Sequence, residues 1–225
     1  MVGVNYVTHR PEKNRKKREK EQRRNTIINA AENIFFAKDY DNVSMDDIAK
    51  DAELSKALLY YYFRDKEALF YAVARRSMDI LGMLVRKRFS SDNSGARNLN
   101  ALGRAYAEFA TEHPGHFRAY GYLLSGRFDL RNPTNNEDLK EFLDRRHTSV
   151  DLTCRMIETG IRDGSIRPSV SPVEVATLLE LICDSFPRLT PQQIERLEAG
   201  EINKEQFIQD TVGLIGRMFV NEHCK

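Results

Sequence analysis

Cysteine is scarce in this chain of 225 residues: Cys154, Cys183 and Cys224 are isolated and odd in number. Without CxxC spacing they suggest neither a disulfide framework nor a zinc site, and they fit a reducing compartment. Long apolar runs are missing as well. The longest falls far short of a membrane span, and the charged N-terminus has no apolar segment behind it. Neither an anchor nor a signal peptide is therefore expected, and the expected location is cytoplasmic. The five histidines are scattered, and GxSxG, HExxH and phosphate-loop motifs are absent. An enzyme needs a converging nucleophile, base and orienting group, so neither catalysis nor a cofactor is expected. The HPGH run at 113–116 is out of helical phase and has no neighbouring carboxylate, which argues against a metal. Strand-like alternation persists nowhere, and glycine and proline sit at the edges of helix-patterned stretches. An all-α protein of nine or ten helices follows.

What is present is concentrated between residues 44 and 66, SMDDIAKDAELSKALLYYYFRDK. Ser44 with Asp47 three positions on forms a capping-box-like helix start, and Asp46 and Asp47 stand where the helix dipole favours negative charge. Met45, Ile48, Ala49 and Ala52 recur at helical spacing and give that helix one buried stripe. Ala52, Glu53 and Leu54 make a turn, and Ser55 is a good N-cap for a second helix. Leu59, Tyr62 and Phe63 return to the core side, and Asp65 caps a further helix beginning at Lys66. This leaves Ser55, Lys56, Ala57, Leu58, Tyr60 and Tyr61 on an outer face. Small residues, hydroxyls and a lysine there suit a helix-turn-helix that sits in a major groove and reaches phosphate oxygens.

Charge supports that placement. Net charge is only +2, but residues 1–89 hold nineteen basic against thirteen acidic side chains, and the remainder sixteen against twenty. A basic head on an acidic body presents one end to DNA. Within the head, RPEKNRKKREKEQRR at 10–24 carries nine Lys or Arg and three Glu, with no apolar residue after Pro11. Such an arm is expected to be disordered without DNA and to track phosphates or enter a minor groove with it, although 19–24 can equally extend the first helix.

The body reads as successive amphipathic helices. Residues 66–89 form a long helix and 90–97 a polar loop. Leu99, Leu102, Tyr106, Phe109 and His113 stripe the next helix, stopped by Pro114; Phe117, Tyr120 and Leu124 stripe another, ending near Arg131, Asn132 and Pro133. Leu143, His147, Val150, Cys154, Ile157 and Ile161 then alternate steps of four and three, stopped at Asp163 and Gly164. Helices at 173–186 and 203–222 carry strong apolar stripes, and Gly213 and Gly216 in the latter allow close approach of a neighbour. Both are candidates for homodimerisation, or simply close the monomer's own core. Between them, 187–202 is a long connection with a short helix near 192–199. Polar or aromatic side chains on otherwise apolar stripes, Tyr106, Phe109, His113, Tyr120, His147 and Cys154, are the candidate lining of a small-molecule pocket; His147 also fits an ordinary core histidine.

The segment from Arg24 to Ala72, through INAAENIF, KDY, VSMDDIAKDAELSKALLYYYF and DKEALF, resembles the DNA-binding domain of the TetR family of transcriptional regulators. The resemblance covers about a fifth of the chain. It implies a three-helix head over 18–65 behind the arm at 1–17, and a helical body over 66–225 that dimerises and usually holds a small effector. It assigns phosphate contacts to Ser44, Tyr60, Tyr61 and Lys66, and places Ser55, Lys56, Ala57 and Leu58 nearest the bases. The family often has glycine where Glu53 and Ala57 stand and a polar residue where Leu58 stands. Leu58 cannot hydrogen-bond a base edge but can pack on a thymine methyl. The implied function is a sequence-specific repressor that a small effector releases from a palindromic operator. An activator of the same fold and a non-specific architectural DNA binder are the alternatives.

Overall fold

The computed structural model describes residues 10–221. The side chains at 10–13 and 134 lie outside that description, as do the first nine residues of the expected arm and Cys224. Among the described residues there are ten α-helices, three short 3-10 turns and no strand, only an isolated bridge between Ile166 and Val220. No helix among them is long and apolar enough to cross a membrane. The chain divides into two compact units, 1–70 and 71–225.

The first unit opens with α1, Arg10–Ala37. The arm expected to be disordered through residue 17 is thus helical from Arg10. Lys, Arg, Glu and Gln are good helix formers even with nothing to bury, and Arg15 and Glu19 pair across one turn at 3.1 Å. Farther on the helix gains a core face: Ile27, Ile28 and Ala31 are fully buried, and Phe35 stacks edge-on against Phe70. After a 3-10 turn at Tyr40–Asn42 comes α2, Met45–Asp51. Its capping box is complete. The Asp47 N–H donates to Ser44 Oγ at 3.1 Å and the Ser44 N–H donates to Asp47 Oδ2 at 3.0 Å. The Ser44 hydroxyl and then the Ser44 N–H, both donating to Asp47 Oδ2, hold that carboxyl below the usual carboxylate range.

The turn out of α2 is a Schellman arrangement in which Leu54 N–H reaches Ala49 O at 2.9 Å and Glu53 N–H reaches Lys50 O at 3.2 Å. It puts Glu53 at φ +54°, the left-handed region, which explains why a glycine suits this position. Helix α3, Lys56–Tyr62, follows with Ser55 accepting from the Leu58 N–H. Ile48 and Leu59, both without exposure, and Phe63 lock α2 to α3, as the apolar spacing requires. Helix α4, Lys66–Arg88, is capped by Asp65 through the Ala68 N–H at 2.7 Å and contributes its first five residues to this unit.

In the second unit α5 (Gly95–Glu112) packs on α7 (Glu137–Arg162) and α10 (Lys204–Phe219), and α8 (Pro172–Ser185) packs on α7. Helix α6 (Pro114–Leu123) and the short α9 (Pro191–Ala199) complete it. Two expected boundaries shift. Ser94 caps α5 by accepting from the Arg97 N–H, so the loop expected through 97 ends early. Helix α6 stops at Leu123, well before the Arg131–Pro133 stretch. Leu99, Ile157, Ile166, Val175, Ala176, Ile215 and Phe219 form one apolar cluster where α5, α7, α8 and α10 meet. At the crossing of α5 and α7 a methyl on Gly95 would overlap the backbone of Gly160 and Met156, so only glycine permits this approach. Four ion pairs link α4 to α7 or brace them: Arg75 with Asp79 and Asp138, and Arg145 with Asp79 and Glu141, at 2.6–3.1 Å.

Candidate functional site

The first unit carries a polar and aromatic face on α3. Ser55, Lys56 and Ala57 are exposed, Tyr60 is 49% and Tyr61 70% exposed, and Leu58 is half-buried beside them. Adjacent exposed tyrosines have no packing purpose in the monomer, since Leu59 and Phe63 already supply the contact with α2. Basic side chains of α1 border this face. Lys20 lies over the Tyr61 ring at 5.7 Å and Arg24 over Phe63 at 5.0 Å. Lys56 is engaged by Asp46 of α2, Nζ to Oδ2 at 2.6 Å, and that hydrogen bond raises its pKa. Ser44 is exposed on the same unit, with its hydroxyl donating to Asp47 Oδ2 at 2.7 Å.

Lys66 has a bracing role within the unit itself. It is half-buried, it donates to the carbonyls of Tyr40 and Val43 at 2.8 and 2.9 Å, and it lies 4.3 Å over the Tyr40 ring. Two of its three N–H groups thus brace the chain leading into α2. The lysine acts on the reading face by holding that segment in place.

The second unit encloses a cavity of about 110 Å³ among α4, α5, α7, α8 and α10. Its walls are chiefly apolar, with Met78, Leu81, Leu102, Val150, Leu179 and Phe186 among them. One end is polar. Arg146 grips Asp184 with both guanidinium nitrogens, at 3.0 and 2.5 Å, donates to the Tyr120 hydroxyl at 2.7 Å and meets Glu180 at 2.7 Å. Tyr120 in turn donates to Asp184 Oδ1 at 2.6 Å, and Tyr106 donates to the Cys183 carbonyl. Burial opposes the charge on Arg146, but the bonds to Asp184 and the acidic surroundings outweigh it and raise its pKa. Burial lifts both tyrosines well above their ordinary value and pushes the Cys183 thiol up to about 12, so all three are neutral at physiological pH.

Of the six side chains expected to line a pocket, Tyr106 and Tyr120 do so. Phe109 is fully buried core, edge-on to Phe117 and Tyr120. His113 is spent at the junction of α5 and α6. Cys154 packs against the apolar cluster with its thiol toward the Pro172 carbonyl at 3.8 Å. His147 is on the solvent side of α7, its side chain 82% exposed and 3.8 Å from Asp151. Around His147 the inward positions of α7 are Phe142, Arg146 and Ser149, whereas farther along the expected row returns inward at Val150, Cys154 and Ile157. A single residue rotates a helix by about 100°, enough to exchange wall for solvent. Arg146, Glu180, Asp184 and Cys183 line the cavity without having been among the expected residues. The available signal was the pair of acids four apart, Glu180 and Asp184, inside the otherwise apolar 173–186 stretch. Among the described residues no group of three or more His, Cys, Asp or Glu could hold a metal ion.

Residues 27–73 match the family described as bacterial regulatory proteins, tetR family. The chain is 23% identical over 198 residues to the HTH-type transcriptional regulator RutR of Escherichia coli (strain K12), spanning 88% of this chain and 89% of that protein. Among solved structures, a bacterial regulatory protein in the tetR family from Rhodococcus RHA1 superposes with a TM-score of 0.67 at 20% identity, covering 88% of this chain and 96% of that one. AibR in complex with isovaleryl coenzyme A and operator DNA superposes with a TM-score of 0.62 at 21% identity, covering 85% and 97%. These superpositions share the all-helical fold with an N-terminal helix-turn-helix. Residues 27–73 are thus a domain of the tetR family of bacterial regulatory proteins, and over nearly nine-tenths of its length the chain is similar to a helix-turn-helix transcriptional regulator.

Proposed function

We propose that this regulator is a cytoplasmic, homodimeric repressor whose α3 faces read a palindromic operator and whose body releases DNA when a small effector fills the cavity. The observation that carries the DNA reading is the α3 face, where two adjacent tyrosines, Lys56 and Ser55 stand open beside the basic side chains of α1. Ser44, Tyr60 and Tyr61 contact phosphate; Ser55, Lys56, Ala57 and Leu58 lie over the bases, with Leu58 on a thymine methyl. The helical segment at 10–24 follows the adjoining backbone and contributes mostly salt-dependent affinity. The domain roles follow: arm over 1–17, head over 18–65, regulatory and dimerising body over 66–225.

Dimerisation is supported by side chains that the monomer leaves uncovered. Val173, Leu178 and Leu181 on α8, and Leu214 and Met218 on α10, are 40–66% exposed on helices whose opposite faces are core. A methyl on Gly213 would meet nothing within 4 Å, so that face of α10 is open to a second helix. A two-fold pair sets two recognition helices about one DNA turn apart, roughly 34 Å. The effector reading is supported by the cavity and by the AibR complex, which carries isovaleryl coenzyme A and operator DNA. An effector acts only through its differential affinity for the two states of the dimer.

The test is selection of duplexes from a random pool by the full chain, followed by competition against bulk DNA. A palindrome with two half-sites about one turn apart, preferred by a factor of about 10³ or more, is the expected result. Uniform binding across sequences would make the protein an architectural coat instead.

A further inference from the structure

We infer that the cavity of the second unit takes an amphipathic ligand whose polar end is a cation, a protonated amine on an apolar frame, and that Glu180 is the residue that receives it. The inference rests on the effector reading and adds the chemistry of the ligand. The cavity wall has three charged side chains, Arg146, Glu180 and Asp184, and so a formal charge of −1. The one cation among them is already engaged. Both of its terminal nitrogens are taken up by Asp184, Glu180 and Tyr120, and only 20% of its side chain is exposed.

Asp184 is engaged too. Oδ1 accepts from Tyr120 and Arg146, Oδ2 accepts from Arg146, and the side chain is 11% exposed. Glu180 differs from both. Its Oε1 meets Arg146 at 2.7 Å, its side chain is 27% exposed, and one carboxylate oxygen is left with capacity to accept from a ligand. A carboxylate or phosphate entering here would have to take Arg146 away from Asp184 or Glu180, and would leave that acid buried without its partner. An ammonium group instead meets an acceptor that is already oriented and a cavity already short of positive charge. The remaining walls ask for hydrocarbon, with Asn100, Ser149 and Thr153 as further uncharged hydrogen-bonding side chains in the lining.

The experiment uses three probes on one eight-carbon frame, octylamine, octanol and octanoate, titrated calorimetrically into the full-length protein at neutral pH. Octylamine is expected to bind at least tenfold more tightly than octanoate, with octanol between them. Glu180→Gln is expected to weaken octylamine about tenfold and leave octanol unchanged, while Glu180→Asp, which keeps the charge, retains the preference for the amine. Should Glu180→Gln fail to fold, the Glu180→Asp protein and the three wild-type affinities still decide. Octanoate binding as well as octylamine, or an amine preference that survives Glu180→Gln, would overturn the inference. Octanol binding with no preference among the three polar ends would overturn it too, yet leave the cavity standing as an effector site. Binding of none of the three would sink both.

Discussion

Lys56 has a carboxylate partner before any DNA arrives, and neutralising that partner should change how binding responds to salt. In the free protein Asp46 serves as the counterion of Lys56, at 2.6 Å, with side chains 65% and 58% exposed. When a phosphate or base edge takes the ammonium, Asp46 is left to recruit a cation from solution. The cation gained at Asp46 cancels the one released from DNA, and this contact contributes nothing to the salt slope. Asp46→Asn removes the cancellation. Each recognition helix then releases one more net cation, which steepens the slope of log K against log salt by about 0.9. For the two helices of a dimer the change is about 1.8, so raising salt from 50 to 200 mM costs the variant about tenfold more affinity than the wild type.

The assay is fluorescence anisotropy of a labelled operator duplex at five or six salt concentrations. The wild type, Asp46→Asn, Lys56→Gln and the double variant are measured together. Lys56→Gln should make Asp46→Asn silent, because the acid then has no cation to occupy; this is a double-mutant cycle with a predicted interaction. Equal slopes for wild type and Asp46→Asn would refute the reasoning. So would a steepening that persists when Lys56 is gone, which would assign the effect to the general charge of the head and not to this pair.

Three further outcomes follow from other parts of the molecule. Glu53→Gly should stabilise the chain by up to about 1 kcal/mol in urea unfolding, because a side chain at positive φ carries a steric cost that glycine lacks; a destabilised variant would mean that Glu53 makes a contact worth more than the strain. Leu181→Glu should give a folded monomer by sedimentation, with operator affinity reduced at least a hundredfold, and a variant that stays dimeric would remove α8 from the interface. His116 has a pKa lowered to about 4 by burial first and then by the charges of His113 and Arg76. The unfolded chain therefore binds the extra proton between pH 6.5 and 4, and stability present above 6.5 is lost as pH falls through that window. Discounted for the part-open ring, the loss is about 1–2 kcal/mol, and His116→Gln should flatten the wild-type stability curve there; parallel curves would exclude this histidine.

The head was legible because what builds it is local. The capping box of Ser44 and Asp47, the cap at Ser55 and the packing set Met45, Ile48, Ala49, Leu59 and Phe63 all lie within twenty residues of one another, and each fixes a neighbour through helix geometry alone. The cavity was not legible for the opposite reason. Arg146 and Asp184 are 38 positions apart, and nothing in the α7 stretch says that a guanidinium belongs inside until its acid is known. A stripe drawn through hydrocarbon alone passes through Leu143 and His147, whereas the inward row follows Phe142 and Arg146. Periodicity locates the buried face when that face is apolar; where it carries an ion pair, the same pattern points about one residue away. Lys66 was legible only in part: its bonds to the carbonyls of Tyr40 and Val43 depend on the 3-10 turn, which the sequence pattern does not announce.

Lys56 and Arg146 are both met by acids of the same chain, and burial decides what each arrangement can do. Lys56 and Asp46 lie in water, where an ion pair is worth little and exchanges readily, so a phosphate can replace the aspartate at small cost and the acid tunes salt response without vetoing DNA. Arg146 and Asp184 are 20% and 11% exposed, where removing one partner strands the other in a medium that cannot solvate it. An anion cannot profitably trade places there. The same residue types therefore act as an exchangeable counterion on α3 and as a fixed charge filter in the body. The filter also joins α6, α7 and α8 through Tyr120, Arg146, Glu180 and Asp184. A ligand that draws Glu180 toward itself loosens one of the bonds that hold α7 to α8, which makes the geometry of these two helices sensitive to occupancy of the cavity in a way that an all-hydrocarbon wall would not be.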